Sequence, residues 1–143
     1  MPTIPGFRPH QDGVKVRLTR RQMVASEAKS IGDALTYQGS ASTLKLAASN
    51  DDVVAIYWDA DRTSTPSDTP FKTVALVLPG TMWEAEVEAG TAASTQVDDE
   101  VDLNSADGID VGTTTNGDFH ITKFISTTRV VGFFNVTPYT GKD

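Results

Sequence analysis

Few residues of this chain could take part in acid–base or nucleophilic catalysis. The only histidines are His10, which lies among prolines, and His120, which follows Asp118 by two positions. Residues two apart on a β-strand point to the same face, so His120 and Asp118 could touch. A hydrolytic triad also needs a nucleophile beside the base, and the chain has no Gly-x-Ser-x-Gly segment. We therefore predict that the chain has no catalytic residues.

Metal binding is the second kind of chemistry that the residue types allow. The chain has no cysteine and only two histidines, too few for a typical zinc site. Calcium is held by clustered carboxylates and carbonyls, but no segment follows the spacing of the EF-hand loop. We expect solvated acids, with no bound metal and no cofactor, at three acidic clusters: Asp59 with Asp61, Asp98 to Glu100 with Asp102, and Asp107 with Asp110.

Phosphate and nucleic-acid binding are not indicated either. The chain has neither Gly-x-x-x-x-Gly-Lys nor Gly-x-Gly-x-x-Gly, the loops that cradle phosphates. Phe7 is the only aromatic residue in the basic first 29 positions, whereas nucleic-acid binding combines a basic groove with several aromatic side chains. We therefore predict no direct contact with nucleic acid.

Charge is divided unevenly along the sequence, whose net charge is −7. Residues 1–29 hold six cations and two acids, a net of +4, and the remaining 114 residues hold six cations and 17 acids, a net of −11. This asymmetry is typical of a basic arm on an acidic body, and such an arm can dock on an acidic surface. A solvated first strand with scattered charges is the alternative interpretation.

Length and composition favour one domain with part of its surface covered by a partner. The chain has 143 residues, and only 38% of them are apolar, which suggests that some segments pack only against another molecule. No apolar run approaches the roughly 18 residues of a transmembrane helix. The N-terminus lacks a basic segment followed by an apolar one, so we expect no signal peptide and synthesis in a cytoplasm.

The N-terminal third predicts an arm, a short strand and a connector. Residues 1–13 contain three prolines and two glycines, which favour an extended, flexible chain. Residues 14–18 alternate apolar and basic side chains, the pattern of a β-strand. We assign residues 1–21 to a basic arm with the first strand, and residues 22–41, which show a weak helical pattern, to an irregular or short-helical connector.

From residue 42 onward, short strand patterns separated by turn residues dominate. Residues 53–58 form a continuous β-prone run that suits a strand buried on both faces or a strand at an interface. Residues 82–88 give the clearest alternation, with Trp83 on the apolar face and therefore expected in the core. Asp-Gly and Asn-Gly dipeptides mark tight turns before a closing hairpin at residues 119–136. These patterns predict an all-β domain, a small barrel or sandwich, over residues 42–143.

Four short motifs follow one another between residues 82 and 136. They are Val-Glu-Ala-Gly-Thr at 87–91, Asp-Glu-Val-Asp-Leu at 99–103, a glycine turn at 116–117 and Val-Gly-Phe-Phe at 131–134. In this order they resemble the capsid decoration proteins, also called cement proteins, of tailed bacteriophages. The resemblance implies a β-tulip-like domain with an extended N-terminal arm, bound as a trimer to the outer surface of the virion capsid. It implies the major capsid protein as the partner and brings no catalytic residues.

Eight residues are predicted to contact this partner. The basic side chains of the arm and first strand would meet an acidic capsid surface. Trp58 borders a long polar loop at residues 59–70, and Phe133 and Phe134 place rings on opposite faces of one strand, so that one is exposed. The predicted set is Phe7, Arg8, Lys15, Arg17, Arg20, Arg21, Trp58 and Phe133.

Two other classes of function remain open at this point. The chain could be another virion component, such as a head-fibre base or a tail-tube protein, and tail-tube subunits assemble into rings. It could also be a carbohydrate-binding module or a small hydrolase that uses Glu84, Glu86 and Glu88, which share one strand face. Their alternation is more typical of a solvated stripe than of a catalytic carboxylate pair.

Overall fold

Strands account for nearly all regular structure in the computed structural model, which describes residues 6–24, 27–38, 42–59 and 71–135. The prediction of an all-β domain is confirmed. The strands are β1 Phe7–Pro9, β2 Leu18–Gln22, β3 Ala34–Tyr37, β4 Leu44–Leu46, β5 Ala55–Tyr57, β6 Phe71–Leu76, β7 Trp83–Ala89, β8 Glu100–Ser105, β9 Gly108–Asp110, β10 Phe119–Ser126 and β11 Arg129–Phe134. One turn of 3-10 helix, Ser94–Gln96, lies between β7 and β8.

The larger sheet has six strands in the order β1-β7-β11-β10-β8-β9. Its last strand, β9, also pairs in parallel with β7, so five of the strands form a closed ring. Phe7 of β1 faces Ala85, and Ile109 of β9 faces Val87. β1 and β9 therefore lie one after the other along the same edge of β7, because β11 occupies the opposite edge.

The second sheet has five antiparallel strands in the order β2-β6-β5-β3-β4. Immediately after β2, Met23 forms a parallel bridge with Leu44 of β4. The Val24 N–H donates to the Leu44 carbonyl at 3.0 Å. The sheet thus curls into a five-stranded barrel that is closed at this end.

Two hydrophobic clusters fill these sheets. The smaller cluster consists of Met23, Leu35, Leu44, Ala55, Tyr57 and Val74. The alternate residues Ala34, Ile56 and Ala75 belong to the larger cluster, together with the inward side chains of the six-stranded sheet. β3, β5 and β6 are therefore buried on both faces where these residues lie. This burial agrees with the interpretation of residues 53–58 as a strand buried on both faces.

Aromatic rings form the centre of the larger cluster. Phe134 contacts Phe7, Phe119 and Trp83, with ring centroids 4.8, 5.1 and 6.2 Å away and inclined planes. Such tilted and edge-on arrangements are favourable because the positive ring edge meets the negative ring face. The Trp83 indole N–H donates to the Thr81 hydroxyl at 3.1 Å, which satisfies its polar atom inside the core. The prediction that Trp83 is a core residue is confirmed.

The prediction of a flexible arm is wrong for the part of it that the structure describes. Phe7 is fully buried, β1 pairs with β7, and the His10 N–H donates to the Met82 carbonyl at 2.9 Å. Gly6 has a φ of +81°, and a Cβ there would collide with the Gly32 carbonyl, so the chain approaches that loop closely. Pro9 is compatible with β1 because β1 is an edge strand. Residues 1–5 lie outside the described residues.

The boundaries of the first strand and the connector also differ from the sequence prediction. β2 runs from Leu18 to Gln22 and not over residues 14–18. The predicted connector contains strand β3 and, among its described residues, no helix.

Substitution of Phe7 tests whether the segment around β1 is a flexible arm or an integral part of the folded domain. We expect Phe7→Ala to lower the free energy of unfolding by about 3–5 kcal/mol, because it leaves a cavity beside the rings of Phe119 and Phe134. Phe71→Ala is the matched control, since Phe71 is 55% exposed, and it should change stability by less than about 0.5 kcal/mol. Urea unfolding measures both. Equal stabilities of the two variants would contradict the structural role of β1.

Candidate functional site

His120 lies in a group of two acids and one aromatic ring. Its imidazole stacks on Phe133, with the centroids 4.7 Å apart and the planes 9° from parallel. Nδ1 lies 3.3 Å from Glu100 Oε2, and Nε2 lies 3.3 Å from Asp98 Oδ1. Both ring nitrogens are therefore engaged by carboxylates, and no hydroxyl is among the described partners of His120. This arrangement lacks the base–nucleophile contact of a hydrolytic site.

The contact between His120 and Asp118 that the spacing allowed does not form. Asp118 is buried before the start of β10, and its carboxylate accepts the N–H groups of Asn50 and Leu103, both at 2.9 Å. It also accepts the Ser49 hydroxyl at 2.8 Å. Asp118 therefore holds the loop after β4 against β8, and the structure leaves it no role beside His120.

Three acids of the predicted acidic clusters accept hydrogen bonds from backbone amides, as Asp118 does. Asp102, which is buried, accepts the N–H groups of Asn116 and Gly117 at 2.7 and 2.8 Å. Asp110 accepts the Gly112 N–H at 2.9 Å, and Asp59 accepts the Thr73 N–H at 3.0 Å. The expectation of fully solvated acids is wrong for Asp102, because tight turns need acceptors for their free amides. Asp61 lies outside the described residues.

No cluster of three or more His, Cys, Asp or Glu residues within the described ranges is arranged to hold a metal ion. The same part of the chain has no helix long and apolar enough to cross a membrane.

The three glutamates of β7 do not form a solvated stripe. Glu84 is buried between two guanidinium groups, and its Oε1 lies 3.1 Å from Arg129 Nη1 and also pairs with Arg8. Glu86 accepts the Gly6 N–H at 3.1 Å. Glu88 alone is exposed. Cations from the neighbouring strands β1 and β11 allow Glu84 to be buried as a charged group.

A buried carboxyl lies where the five-stranded barrel meets the six-stranded sheet. Asp33 accepts the Ser30 N–H at 2.8 Å, and the next residue, Ala34, donates its N–H to the Ala106 carbonyl of the β8–β9 turn at 2.8 Å. Burial, and then the hydrogen bond with the Asp107 carboxyl, raise the pKa of Asp33 to about 8. Asp33 therefore keeps its proton at neutral pH.

The strongest candidate for a partner-binding surface is the outer edge of the five-stranded barrel. Lys15, Arg17 and Arg20 are exposed there, and Arg21 is half-buried. Arg20 Nη2 donates to the Phe71 carbonyl at 2.8 Å, and Arg21 Nη1 donates to the Thr19 hydroxyl at 3.2 Å. We call residues 14–21 together with Phe71 the basic edge. Four of the eight predicted contact residues lie on it.

Large apolar side chains lie exposed on the same edge. Val14, Leu18 and Phe71 are 55%, 57% and 55% exposed, whereas Ile125 and Val97 are the other two large apolar residues exposed in the described chain. Sequence reasoning missed these three as contact residues. The alternation over residues 14–18 placed Val14 and Leu18 on one face of a strand, but alternation does not reveal whether another layer covers that face. No local signal distinguishes Phe71 from a core residue.

The other predicted contact residues lie elsewhere. Phe7 is buried and cannot present its ring to a partner in the folded chain. Arg8 is held by Glu84, which leaves its side chain 38% exposed. Trp58 follows β5 and packs partly buried against the larger cluster, while Phe133 in β11 is half-buried beneath His120. The structure thus brings together only the four cations of residues 15–21.

Comparison with known proteins adds no relative. Neither a scan against models of protein families nor a search of curated proteins finds a match for this chain.

Asp33 makes stability depend on pH in the direction opposite to that of a salt-bridged acid. Its folded pKa, about 8, exceeds its ordinary pKa of 3.8, so between these values the folded chain holds a proton that the unfolded chain releases. The free energy of unfolding therefore falls as the pH rises through this window, by at most about 1.4 kcal/mol per pH unit from this group. Asp33→Asn, which is neutral throughout and keeps a hydrogen-bond acceptor, should remove this dependence.

Urea unfolding of both proteins between about pH 5 and about pH 8 checks this expectation. The variant should gain stability relative to the native chain as the pH rises. Asp99→Asn, at an exposed carboxylate, is the control and should leave the profile unchanged. A stability difference between Asp33→Asn and the native chain that stays constant over this range would contradict a protonated Asp33.

Proposed function

We propose that this chain is a structural virion protein that binds the outer surface of a tailed-bacteriophage capsid. It stabilises the shell by linking neighbouring major capsid subunits and catalyses no reaction. The observation that carries the proposal is the basic edge, where exposed cations and exposed large apolar side chains lie together on an otherwise acidic molecule. The resemblance of residues 82–136 to capsid decoration proteins supplies the class of partner.

The side chains of the basic edge suit a protein partner. Three large apolar side chains are exposed along this edge, and exposed apolar surface of this kind is typical of protein interaction sites. Cations beside them favour an acidic partner and speed its association. Arg contributes both charge and flat apolar area, which is why it is enriched in protein interfaces. We expect an edge with this composition to bind its partner through complementary shape and charge, without a catalytic step.

The remaining polar groups support a binding role over a catalytic one. Asp102 and Asp118 are occupied by backbone amides, and Glu84 is occupied by two arginines. Each of these groups contributes to the rigidity of the domain. A rigid domain loses little conformational entropy when it binds, so modest contacts suffice. On a capsid, many copies in a trimeric arrangement would add these contacts over the shell.

Charge reversal on the basic edge tests the proposal. The double variant Lys15→Glu with Arg17→Glu should bind expanded capsids at least roughly tenfold more weakly, because two attractive contacts become repulsive. The capsids are those of the phage that encodes the chain, stripped of it, and a major capsid gene beside the chain's own gene would identify that phage. Co-sedimentation measures the bound copies, and the midpoint of thermal disruption measures shell stabilisation.

The double variant Lys45→Glu with Lys123→Glu is the matched control. It changes net charge by the same amount at cations that are not part of the basic edge, on β4 and β10. It should bind and stabilise capsids as the native chain does. Equal binding by both double variants, or no binding by the native chain, would refute the proposal. Rings or tubes of the purified chain in size-exclusion chromatography would favour a tail-tube protein instead.

A further inference from the structure

We propose that the basic edge binds its partner by strand addition: an extended acidic segment of a capsid subunit pairs with β2 as a further β-strand. The identity of the partner rests on the proposed function, whereas the mode of binding rests on the hydrogen-bond pattern of β2. In strand addition, main-chain hydrogen bonds to an exposed sheet edge supply affinity, and side chains supply selectivity.

The register between β2 and β6 fixes which backbone groups of β2 point outward. Leu18 faces Ala75 and Arg20 faces Thr73, and the Leu76 N–H donates to the Arg17 carbonyl at 2.9 Å. In an antiparallel pair, alternate residues bond to the neighbouring strand. Positions 17, 19 and 21 therefore bond toward β6, and the N–H and C=O groups of Leu18 and Arg20 point away from it.

The hydrogen bonds of β6 lead independently to the same assignment. The Thr73 carbonyl accepts the Trp58 N–H at 3.1 Å, and the Thr73 N–H donates to Asp59 Oδ2 at 3.0 Å. Both backbone groups of Thr73 thus point toward β5, so its partner Arg20 receives no bond from it. The Arg20 carbonyl instead accepts Arg21 Nη1 at 3.2 Å, a side-chain bond that an incoming strand can replace.

The open part of this edge is short. After β2 the chain turns to Leu44, and the Val24 N–H donates to the Leu44 carbonyl, which closes the barrel there. At the other end, the Val14 N–H is bonded to the Gly80 carbonyl at 2.9 Å. An added strand would therefore pair beside Leu18 and Arg20. A segment of about five residues spans this length.

The positive charge of the basic edge indicates which kind of strand can pair with β2. Charged residues on edge strands commonly prevent pairing with a second copy, and two copies of this edge would bring Lys15, Arg17 and Arg20 of each against those of the other. Protection alone, however, does not account for exposed Leu18 and Phe71, which share one face with Arg20. An acidic strand with at least one apolar side chain matches the cations, this apolar face and the outward backbone groups together.

A synthetic octapeptide that alternates glutamate with valine, capped at both ends, is the probe for this mode. Added to the isotopically labelled chain at low salt, it should slow amide hydrogen exchange at Leu18 and Arg20 and leave exchange at Thr19 unchanged. The same peptide with lysine in place of glutamate is the control and should not bind. Binding of the acidic peptide without protection of these two amides would overturn strand addition, and so would the absence of binding.

Proline substitutions distinguish the contribution of backbone hydrogen bonds to peptide binding from that of the side chains. Leu18→Pro should weaken peptide binding by roughly three- to tenfold more than Leu18→Ala, because only proline removes the outward N–H. Arg20→Pro and Arg20→Ala form a second matched pair. Proline is tolerated at these positions because their N–H groups bond no neighbouring strand, and circular dichroism checks the fold. An equal loss of peptide affinity in the Pro and Ala variants of each pair would show that the peptide docks on side chains alone, and it would refute the proposal.

Capsid binding distinguishes the failure of this inference from the failure of the proposed function. If Leu18→Pro binds capsids as tightly as Leu18→Ala while charge reversal abolishes binding, the function stands and strand addition is refuted. If the native chain binds the acidic peptide with protected amides but no capsid, strand addition stands for another acidic partner. Sedimentation equilibrium showing a dimer of the chain paired through β2 would refute an acidic occupant.

Discussion

Strand β7 forms hydrogen bonds along both edges with three strands, β11 on one edge and β1 and β9 on the other. Most other features follow from this arrangement. The two strands on the shared edge bring Phe7 and Ile109 into the larger cluster, and β11 contributes Phe134 at its centre. The same neighbours supply Arg8 and Arg129, which neutralise Glu84 on the outer face of β7. One strand therefore fixes both the aromatic core and the main buried ion group.

The two sheets differ in how completely their edge strands are paired. Five strands of the six-stranded sheet close into a ring through the β7–β9 pairing, so that among its described strands only β1 lies at an edge. Among the described residues, the five-stranded barrel closes only at Met23 and Leu44, and no strand pairs with the other edge of β2. The cations and the exposed apolar side chains are concentrated at this opening. The binding that we propose thus depends on an incomplete closure, and the rest of the domain holds that edge in a fixed geometry.

Local patterns predicted the C-terminal half well and the N-terminal segment poorly. The alternation over residues 82–88 and the tight turns are local signals, and the structure places β7 and the hairpin of β10 and β11 there. The burial of Phe7 depends on β7, which lies far along the chain, so proline content near Phe7 favoured the wrong interpretation. The burial of Glu84 depends likewise on arginines from two other strands, and a single-strand pattern cannot reveal them.

The pairing of β1 with β7 has a consequence for the order of events during synthesis. Phe7 is made long before Ala85, its partner across the two strands, and before Phe134, the ring that it packs against. The aromatic core therefore cannot assemble on the ribosome until β11 has emerged, and β1 has no partner strand until β7 has emerged. Pairing between such distant segments slows folding relative to a domain of consecutive hairpins. We expect the nascent chain to depend on molecular chaperones until its last strand is complete.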